Sequence, residues 1–239
     1  MFSAMRLDEN DKSRQNSPTD QTCHENCRRS MRTICLLAQK GGTGKTTLCL
    51  HLAVLASELG RNASVVDIDP QASATAWKRR RKQHAPEVHR TDAGDLAGVL
   101  AEPEHLGRDL VLIDTAPHSS HAAATAAELA DLVLIVSRPA ILDLEAIGES
   151  VKIVKQQQSR SAVVLNACPP PHQGRETAIA REAREALDVY GLPVAPVSIS
   201  QRAAFSHALI DGRAVTEFDA AGKAAGEIRN LYHWIEKQF

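Results

Sequence analysis

The chain has 239 residues, a formal net charge of −1 and 3% aromatic residues. This length suits one domain with a tail, and the small net charge provides no overall attraction to nucleic acid or to a membrane. The scarcity of aromatic side chains argues against a base-stacking platform, and without a run of about 18 apolar residues no transmembrane helix is predicted. Because the N-terminus lacks the apolar core of a secretion signal, we expect a cytoplasmic protein.

The first part of the chain, residues 1–31, is polar and has almost no apolar periodicity. We therefore predict a disordered tail there and one folded domain over residues 32–239. Segment 23–27 contains two cysteines and one histidine. These residues in a polar tail do not complete a closed metal site without further ligands, so we predict no metal site in this segment.

Beyond the tail, apolar runs alternate with helical patterns. The apolar runs predict strands over 34–38, 63–68, 110–114, 132–137, 162–166 and 194–199. Helical periodicity predicts helices over 45–59, 72–83, 119–129, 142–157, 176–190, 201–210 and 220–237. This alternation predicts an α/β fold, a doubly wound and mostly parallel sheet with helices on both faces. Ligands of such sheets bind beyond the carboxyl ends of the strands.

The first strand end carries the octet Lys-Gly-Gly-Thr-Gly-Lys-Thr-Thr. Glycines let backbone N–H groups turn toward phosphate oxygens, and the start of the next helix adds its positive dipole end. Lys45 would contact the β- and γ-phosphates, and Thr46 would offer its hydroxyl to Mg²⁺. Gln39 occupies the place of the first glycine in the ordinary pattern, so the octet is a variant with two lysines.

Strand, glycine loop and helix follow one another here in the order of a P-loop NTPase. A glycine-rich turn without a ligand is the alternative, and the Gly-Lys-Thr sequence with these flanks argues against it. The predicted nucleotide-contacting residues are Lys40, Gly41, Gly42, Thr43, Gly44, Lys45, Thr46 and Thr47.

Two further strand ends carry carboxylates. Asp69 lies in the sequence Asp-Ile-Asp-Pro-Gln and would order the attacking water or a Mg²⁺-bound water. Asp69 could also cap the next helix, because proline is common at the first helical position. Asp114 follows four apolar residues and would hold Mg²⁺ through water, which is the Walker B arrangement.

Asn166 ends the predicted strand 162–166. Its side-chain amide could read the adenine edge, because it offers one donor group and one acceptor. An asparagine that caps or turns the backbone is equally compatible with this position. The sequence leaves both interpretations open.

Together these motifs resemble the ParA/MinD family of P-loop ATPases, which have a deviant Walker A motif. The match runs through 40–47, 67–71 and 113–117 in the expected order and covers residues 33 to about 237. The Asp-Pro-Gln form and the Ile-Ser-Gln-Arg sequence at 199–202 are most similar to the small plasmid-partition ParA proteins. The resemblance thus assigns residues 32–239 to a ParA-like P-loop ATPase domain.

The resemblance implies a DNA-partition ATPase that hydrolyses ATP to ADP and phosphate with Mg²⁺. Lys40 would reach across a nucleotide-sandwich homodimer to the partner's phosphates, and Asp69 would position the water. A loop lysine that faces outward costs nothing in a monomer and gains a charge-assisted contact in a dimer. The ATP-bound dimer would coat nucleoid DNA without sequence preference in the cytoplasm. A ParB-type centromere-binding protein would then trigger hydrolysis and release.

Candidate DNA contacts come from two parts of the chain. Five consecutive cations at 78–82 could contact phosphates, or they could form a solvated helix end. Arg202 matches the arginine that the family carries at the start of a late helix and is the stronger candidate. Lys223 and Arg229 on the last predicted helix could extend the same patch.

Other functions share parts of this pattern. The last helix is amphipathic and could lie on a membrane as in MinD, but Glu227 and Glu236 favour a core helix, so we predict no membrane partner. A metal-cluster enzyme would need paired cysteines at a dimer seam, where Cys168 stands alone. ParA-type positioning of a cargo other than DNA, such as a chemotaxis array or a carboxysome, remains a further alternative.

Overall fold

The computed structural model describes residues 31–102 and 107–239. Within them, parallel strands form one six-stranded sheet in the order β3-β2-β4-β1-β5-β6. The strands are β1 Arg32–Leu37, β2 Ala63–Asp67, β3 Glu87–Arg90, β4 Leu110–Asp114, β5 Leu132–Ser137 and β6 Ser161–Leu165. All except the edge strand β3 consist almost wholly of buried residues, as expected for strands that are covered on both faces.

Helices cover the two faces of the sheet in separate layers. They are α1 Lys45–Glu58, α2 Ser73–Arg80, α3 Leu96–Ala101, α4 Ser120–Leu129, α5 Ile141–Gln156, α6 Ala178–Leu187, α7 Ala203–Ile210, α8 Val215–Phe218 and α9 Lys223–Glu236. The helices α1, α2, α7, α8 and α9 share one apolar core, and α3 to α6 share the other. Alternation along β1 supplies both cores, since Ile34 and Leu36 face the first and Cys35 and Leu37 the second.

This architecture confirms the predicted doubly wound α/β fold and five of its six predicted strands. The predicted strand at 194–199 is wrong. From Ala195 to Ile199 the segment advances four residues while β6 advances only two, so the regular ladder is lost and only an isolated bridge forms, at Val194. It still runs beside β6 through hydrogen bonds from Ala195 N to Val163 O and from Ile199 N to Leu165 O.

Three short elements, β3, α3 and α8, were not predicted because their apolar patterns are too brief for either period. The last helix packs as a core helix, as predicted: Ile228, Leu231 and Ile235 are fully buried on α9. No helix in the described ranges is long and apolar enough to span a membrane. The predicted disordered tail, apart from Met31, and the cysteines at 23 and 27 lie outside the described residues.

Candidate nucleotide-binding site

The P-loop, residues 38–45, joins the end of β1 to the start of α1. Gly44 precedes α1 with a φ of +94°, a backbone conformation that disfavours any side chain. A Cβ at this position would also collide with the side-chain amide of Asn166. Asn166 follows β6 and donates from Nδ2 to the Thr43 carbonyl at 2.6 Å. The structure therefore brings Asn166 to the P-loop itself, where it braces the loop; its predicted contact with adenine stays a prediction.

Lys45 and Asp114 form the charged centre of the site. Lys45 is 6% exposed, and its burial lowers its pKa. The negative charges of Asp114 and Asp69 act to raise this pKa, but their effect is smaller than that of burial. Asp114 ends β4 and is fully buried. Burial raises the pKa of Asp114 to about 7, while Thr46 and Lys45 act to lower it. The attraction between Lys45 and Asp114 thus offsets only part of the cost of burying the two charged groups.

Both carboxylate oxygens of Asp114 are buried without a hydrogen-bond partner of good geometry among the described residues. Native proteins rarely leave such oxygens unsatisfied, and Mg²⁺ or a Mg²⁺-bound water would satisfy them. The Thr46 hydroxyl lies on the same side, at the first turn of α1. No group of three or more His, Cys, Asp or Glu side chains in the described ranges could hold a metal ion alone. A Mg²⁺ ion here would therefore need the Thr46 hydroxyl, water and phosphate oxygens as further ligands.

Asp67, the last residue of β2, and Asp69, just beyond it, have different roles. Asp67 is fully buried beside Asp114 in the sheet and accepts hydrogen bonds from Thr75 N and Oγ1, both at 2.9 Å. Asp67 therefore caps the first turn of α2. Asp69 instead accepts from Gln71 N at 2.9 Å in a local turn. The alternative role of Asp69 as a helix cap is thus wrong, because α2 begins at Ser73 and its first turn is bound by Asp67.

Lys40 is not a free lysine at the loop surface, which corrects the expectation of an outward side chain without a partner. Its Nζ lies 3.0 Å from Oδ2 of Asp143, in the first turn of α5. Arg138, just beyond β5, donates from Nε to the other oxygen of Asp143 at 3.0 Å. Sequence reasoning missed Asp143 and Arg138. The signal was available, because both follow the carboxyl end of a predicted strand, where ligand sites of such sheets lie.

The predicted DNA contacts differ in how far they are engaged within the fold. The Arg202 guanidinium is 2.7 Å from Oε1 of Glu227 through Nη2, and its Nε is 3.0 Å from the same oxygen. Glu227 also accepts from Ser200 N, so this ion pair fastens the turn before α7 to α9. Lys223 and Arg229 are exposed on α9, and Arg229 donates to the Ala220 carbonyl. Arg202 is therefore engaged in tertiary structure, whereas the two cations of α9 lie at the surface.

The cation run at 78–82 is divided between the core and the surface. Arg81 forms a two-pronged ion pair with Glu217, at 2.8 and 2.9 Å, and its guanidinium lies 5.0 Å from the Trp77 ring centre. Lys78 pairs with Glu87 at 3.5 Å. The remaining cations, Arg79, Arg80 and Lys82, have exposed side chains.

The fold and the strand–loop–helix site define a P-loop nucleotide-binding protein. The family model described as the CobQ/CobB/MinD/ParA nucleotide binding domain matches residues 34–215. The chain belongs to this family, which confirms the resemblance to the ParA/MinD ATPases. The matched range begins in β1 and ends in α8, so it contains both the P-loop and the lysine–aspartate pair described above.

Several known proteins are similar to the chain. It is 26% identical over 215 residues to the "Maintenance of carboxysome distribution protein A" of Halothiobacillus neapolitanus, covering 85% of this chain and 95% of that protein. It is 31% identical over 150 residues to the "Chromosome-partitioning ATPase Soj" of Thermus thermophilus, covering 51% and 60% respectively. The structure of the septum site-determining protein MinD from Pyrococcus horikoshii, complexed with Mg-ADP, matches with a TM-score of 0.68 and 19% identity, covering 87% and 97%. At this identity the structural likeness shows the fold alone.

Proposed function

We propose that this ParA/MinD-family protein is a DNA-partition ATPase that alternates between a monomer and an ATP-bound homodimer. The observation that carries the proposal is the unsatisfied Asp114 carboxylate beside Lys45 and Thr46 at the start of α1. Those groups are the ones that bind a nucleoside triphosphate with Mg²⁺: a lysine contacts the phosphates, a hydroxyl binds the metal and a carboxylate binds a water of the metal.

Each group of the site has a proposed task in hydrolysis. The P-loop amides and Lys45 would hold the phosphates, and Thr46 and Asp114 would hold Mg²⁺, which would supply neutralising charge during phosphoryl transfer. Asp69 would orient the attacking water with its carboxylate; the residue is 9% exposed and lines a cleft together with Pro117 and Ser119. Asn166 keeps the loop in its binding conformation through the Thr43 carbonyl.

A second copy of the chain is the proposed partner at the mouth of the site. Lys40 and Gly42 line a cleft of about 740 Å³ together with Ile141 and Leu142. These two apolar side chains are 68% and 66% exposed, which is high for large hydrophobic residues. Burial of these two side chains against another copy would stabilise a dimer beside the nucleotide-binding site through the hydrophobic effect. Loss of the γ-phosphate after hydrolysis would then loosen the dimer.

Among the candidate DNA-contacting residues, we rank the exposed cations at the end of α2 above Arg202. Arg202 is tied to Glu227, so its removal would disturb the fold as well as any phosphate contact. Arg79, Arg80 and Lys82 are exposed at the end of α2 and are better placed to meet a phosphate backbone. Contacts of this kind carry no base information and weaken with salt. A homodimer would present each cationic surface twice, which raises affinity through effective concentration.

A cargo other than DNA is the second candidate function. It is favoured by the similarity to a protein for maintenance of carboxysome distribution, which covers nearly the whole of that protein. Its ATPase site and dimer would be unchanged, and the stimulating partner would belong to the cargo in place of a ParB-type protein. Colocalisation of a fluorescent fusion with labelled plasmid DNA, or with a protein assembly, separates the two.

The central experiment measures retention on DNA of arbitrary sequence with ATP, with ADP and without nucleotide, at two salt concentrations. We expect retention only with ATP, weaker at the higher salt. A Lys45→Ala variant is expected to lose nucleotide binding and DNA retention together, because it removes the phosphate-binding cation. DNA retention that is equal in all three nucleotide states would contradict the proposal.

A further inference from the structure

The contact between Lys40 and Asp143 joins the P-loop to α5 across 103 positions of the chain. Asp143 is the buried member: its side chain is 3% exposed, against 30% for Lys40. Burial raises the pKa of Asp143, but hydrogen bonds from Arg138 and Lys40 outweigh this effect and keep the pKa below its usual value. Asp143 is therefore a charged carboxylate that depends on cationic partners.

Arg138 gives Asp143 a second cation. Its Nε and Nη2 donate to the two oxygens of Asp143, at 3.0 and 3.2 Å, so both oxygens are engaged by one guanidinium. Such fork-shaped pairs are the stronger kind of charge-assisted hydrogen bond. Asp143 also lies in the first turn of α5, where the helix dipole favours a negative charge.

Arg138 and the N-terminal end of α5 determine how much free energy is needed to remove Lys40 from Asp143. A buried carboxylate that loses its only cation is strongly destabilised. With Arg138 and the helix end in place, Asp143 keeps a charge partner after Lys40 has left. Arg138 therefore reduces the free energy needed to release Lys40.

Lys40, Asp143 and Arg138 line the same cleft as Gly42 of the P-loop. A phosphate that a second copy brought to that cleft would compete with Asp143 for the Lys40 ammonium group, because both anions would lie within the reach of one lysine side chain. The exposed Ile141 and Leu142 beside them mark the side from which a second copy would approach.

We propose that Asp143 and Arg138 are positioning residues for a counter-ion exchange at Lys40: Asp143 holds Lys40 in the monomer, and Arg138 stays paired with Asp143 when Lys40 turns to a phosphate in the dimer. This inference rests on the proposed function, because it assumes that a nucleotide-bound dimer forms. It predicts that the two residues act in opposite directions. Loss of Asp143 favours the dimer, and loss of Arg138 disfavours it.

The first test uses the full chain without nucleotide and so does not depend on dimerisation. Acetylation with an N-hydroxysuccinimide ester, followed by peptide mass spectrometry, compares the rate at Lys40 with that at the exposed Lys152. In Asp143→Asn we expect the relative rate at Lys40 to rise about fivefold, which corresponds to about 1 kcal/mol. An unchanged relative rate in both Asp143→Asn and Asp143→Ser would overturn the proposed contact.

The second test measures dimerisation by sedimentation velocity with ATP and Mg²⁺. We expect Asp143→Asn to dimerise at a protein concentration about fivefold lower than wild type, and Arg138→Gln at one about fivefold higher. Matched controls are Asp188→Asn and Arg160→Gln, which remove the same charges from exposed residues away from the P-loop. A shift of the same sign in both test variants, or shifts no larger than those of the controls, would overturn the exchange.

The two tests separate the inference from the proposed function. If the wild-type protein stays monomeric with ATP, the proposed function fails, whereas the acetylation rates still decide whether Asp143 holds Lys40. If wild type dimerises and the variants do not differ from their controls, only the counter-ion exchange fails. Thermal unfolding of each variant confirms that it is folded before either result is used.

Discussion

Asn166 donates its side-chain amide to the Thr43 carbonyl at 2.6 Å, joining the end of β6 to a P-loop residue 123 positions earlier in the chain. Both residues are buried, and the amide lies directly against Gly44. The conformation of the P-loop is therefore determined by a residue from the other half of the domain as well as by its own glycines.

Gly44→Ala is expected to disrupt this arrangement. A Cβ at position 44 meets the Asn166 amide and requires a backbone with φ of +94°, so the variant must lose either the brace or the loop conformation. We expect a loss of about 1–3 kcal/mol in the free energy of unfolding, measured by urea titration, and a large loss of nucleotide affinity. Gly226→Ala in α9 is the control, because a Cβ there has nothing within 4 Å. Equal stability of the two variants would show that the close approach at Gly44 has no energetic weight.

Asn166→Ala distinguishes a brace from a residue that reads the base. Removal of the hydrogen bond to Thr43 should weaken binding of ATP and of GTP alike, by about tenfold, because the loop serves the phosphates of both. Fluorescence titration with labelled nucleotides measures the two affinities. If only the ATP affinity falls, the predicted contact with adenine, and not the brace, is the main role of Asn166.

The raised pKa of Asp114 predicts an unusual dependence of stability on pH. In the unfolded chain this carboxyl titrates near its ordinary value of about 3.9, and in the folded protein near about 7. Between these values the folded state binds more protons than the unfolded state, so the stability contributed by this group falls as pH rises and is constant above about 7. Asp114→Asn removes the titration.

The measurable quantity is the difference in free energy of unfolding between wild type and Asp114→Asn in the absence of nucleotide. We expect it to change by about 2–4 kcal/mol in favour of the variant between pH 5 and pH 8. Asp188→Asn, at an exposed aspartate of the 3₁₀ turn after α6, serves as the control. A difference that does not vary with pH would show that Asp114 is already charged at pH 5. The same variant should lose Mg²⁺-dependent ATP hydrolysis.

Cation substitutions should separate DNA contact from tertiary structure. Arg79→Gln and Lys82→Gln remove exposed charges, so we expect unfolding free energies within about 0.5 kcal/mol of wild type. DNA affinity should fall for each, with a salt dependence weaker by about one unit of slope. Arg202→Ala should instead destabilise the fold by about 1–3 kcal/mol, because Glu227 loses its cation. Unaltered DNA binding in the double variant Arg79→Gln, Lys82→Gln would remove the end of α2 from the proposed surface.

Most of the fold could be predicted because its signals are local. Buried parallel strands are continuous apolar runs, and five of them were found within one or two residues of their observed bounds. The edge strand β3 was missed because three of its four residues are polar. The segment 194–199 was overpredicted because its apolar composition does not reveal its irregular register against β6, in which four residue steps lie opposite two.

The candidate site divides in the same way. The phosphate-binding role of residues 40–47 and the metal-binding role of Asp114 could be predicted from the sequence. A glycine loop and the end of a strand are each defined by residues that are adjacent in the chain. The separate roles of Asp67 and Asp69 could not be predicted from the sequence, because they depend on the residue at which α2 begins. Local turn geometry after a strand decides which of two nearby carboxylates faces the helix.

The amino-acid sequence by itself determined the family, the layered α/β architecture and the phosphate-binding chemistry of the loop, because periodicity and contiguous motifs act over a few residues. Only the tertiary structure decided that Asp143 holds Lys40, that Glu227 holds Arg202 and that Asn166 braces Thr43. Each of these contacts joins residues 25 to 123 positions apart. Pairings at such separations depend on how helices and strands pack against one another, which no local pattern specifies.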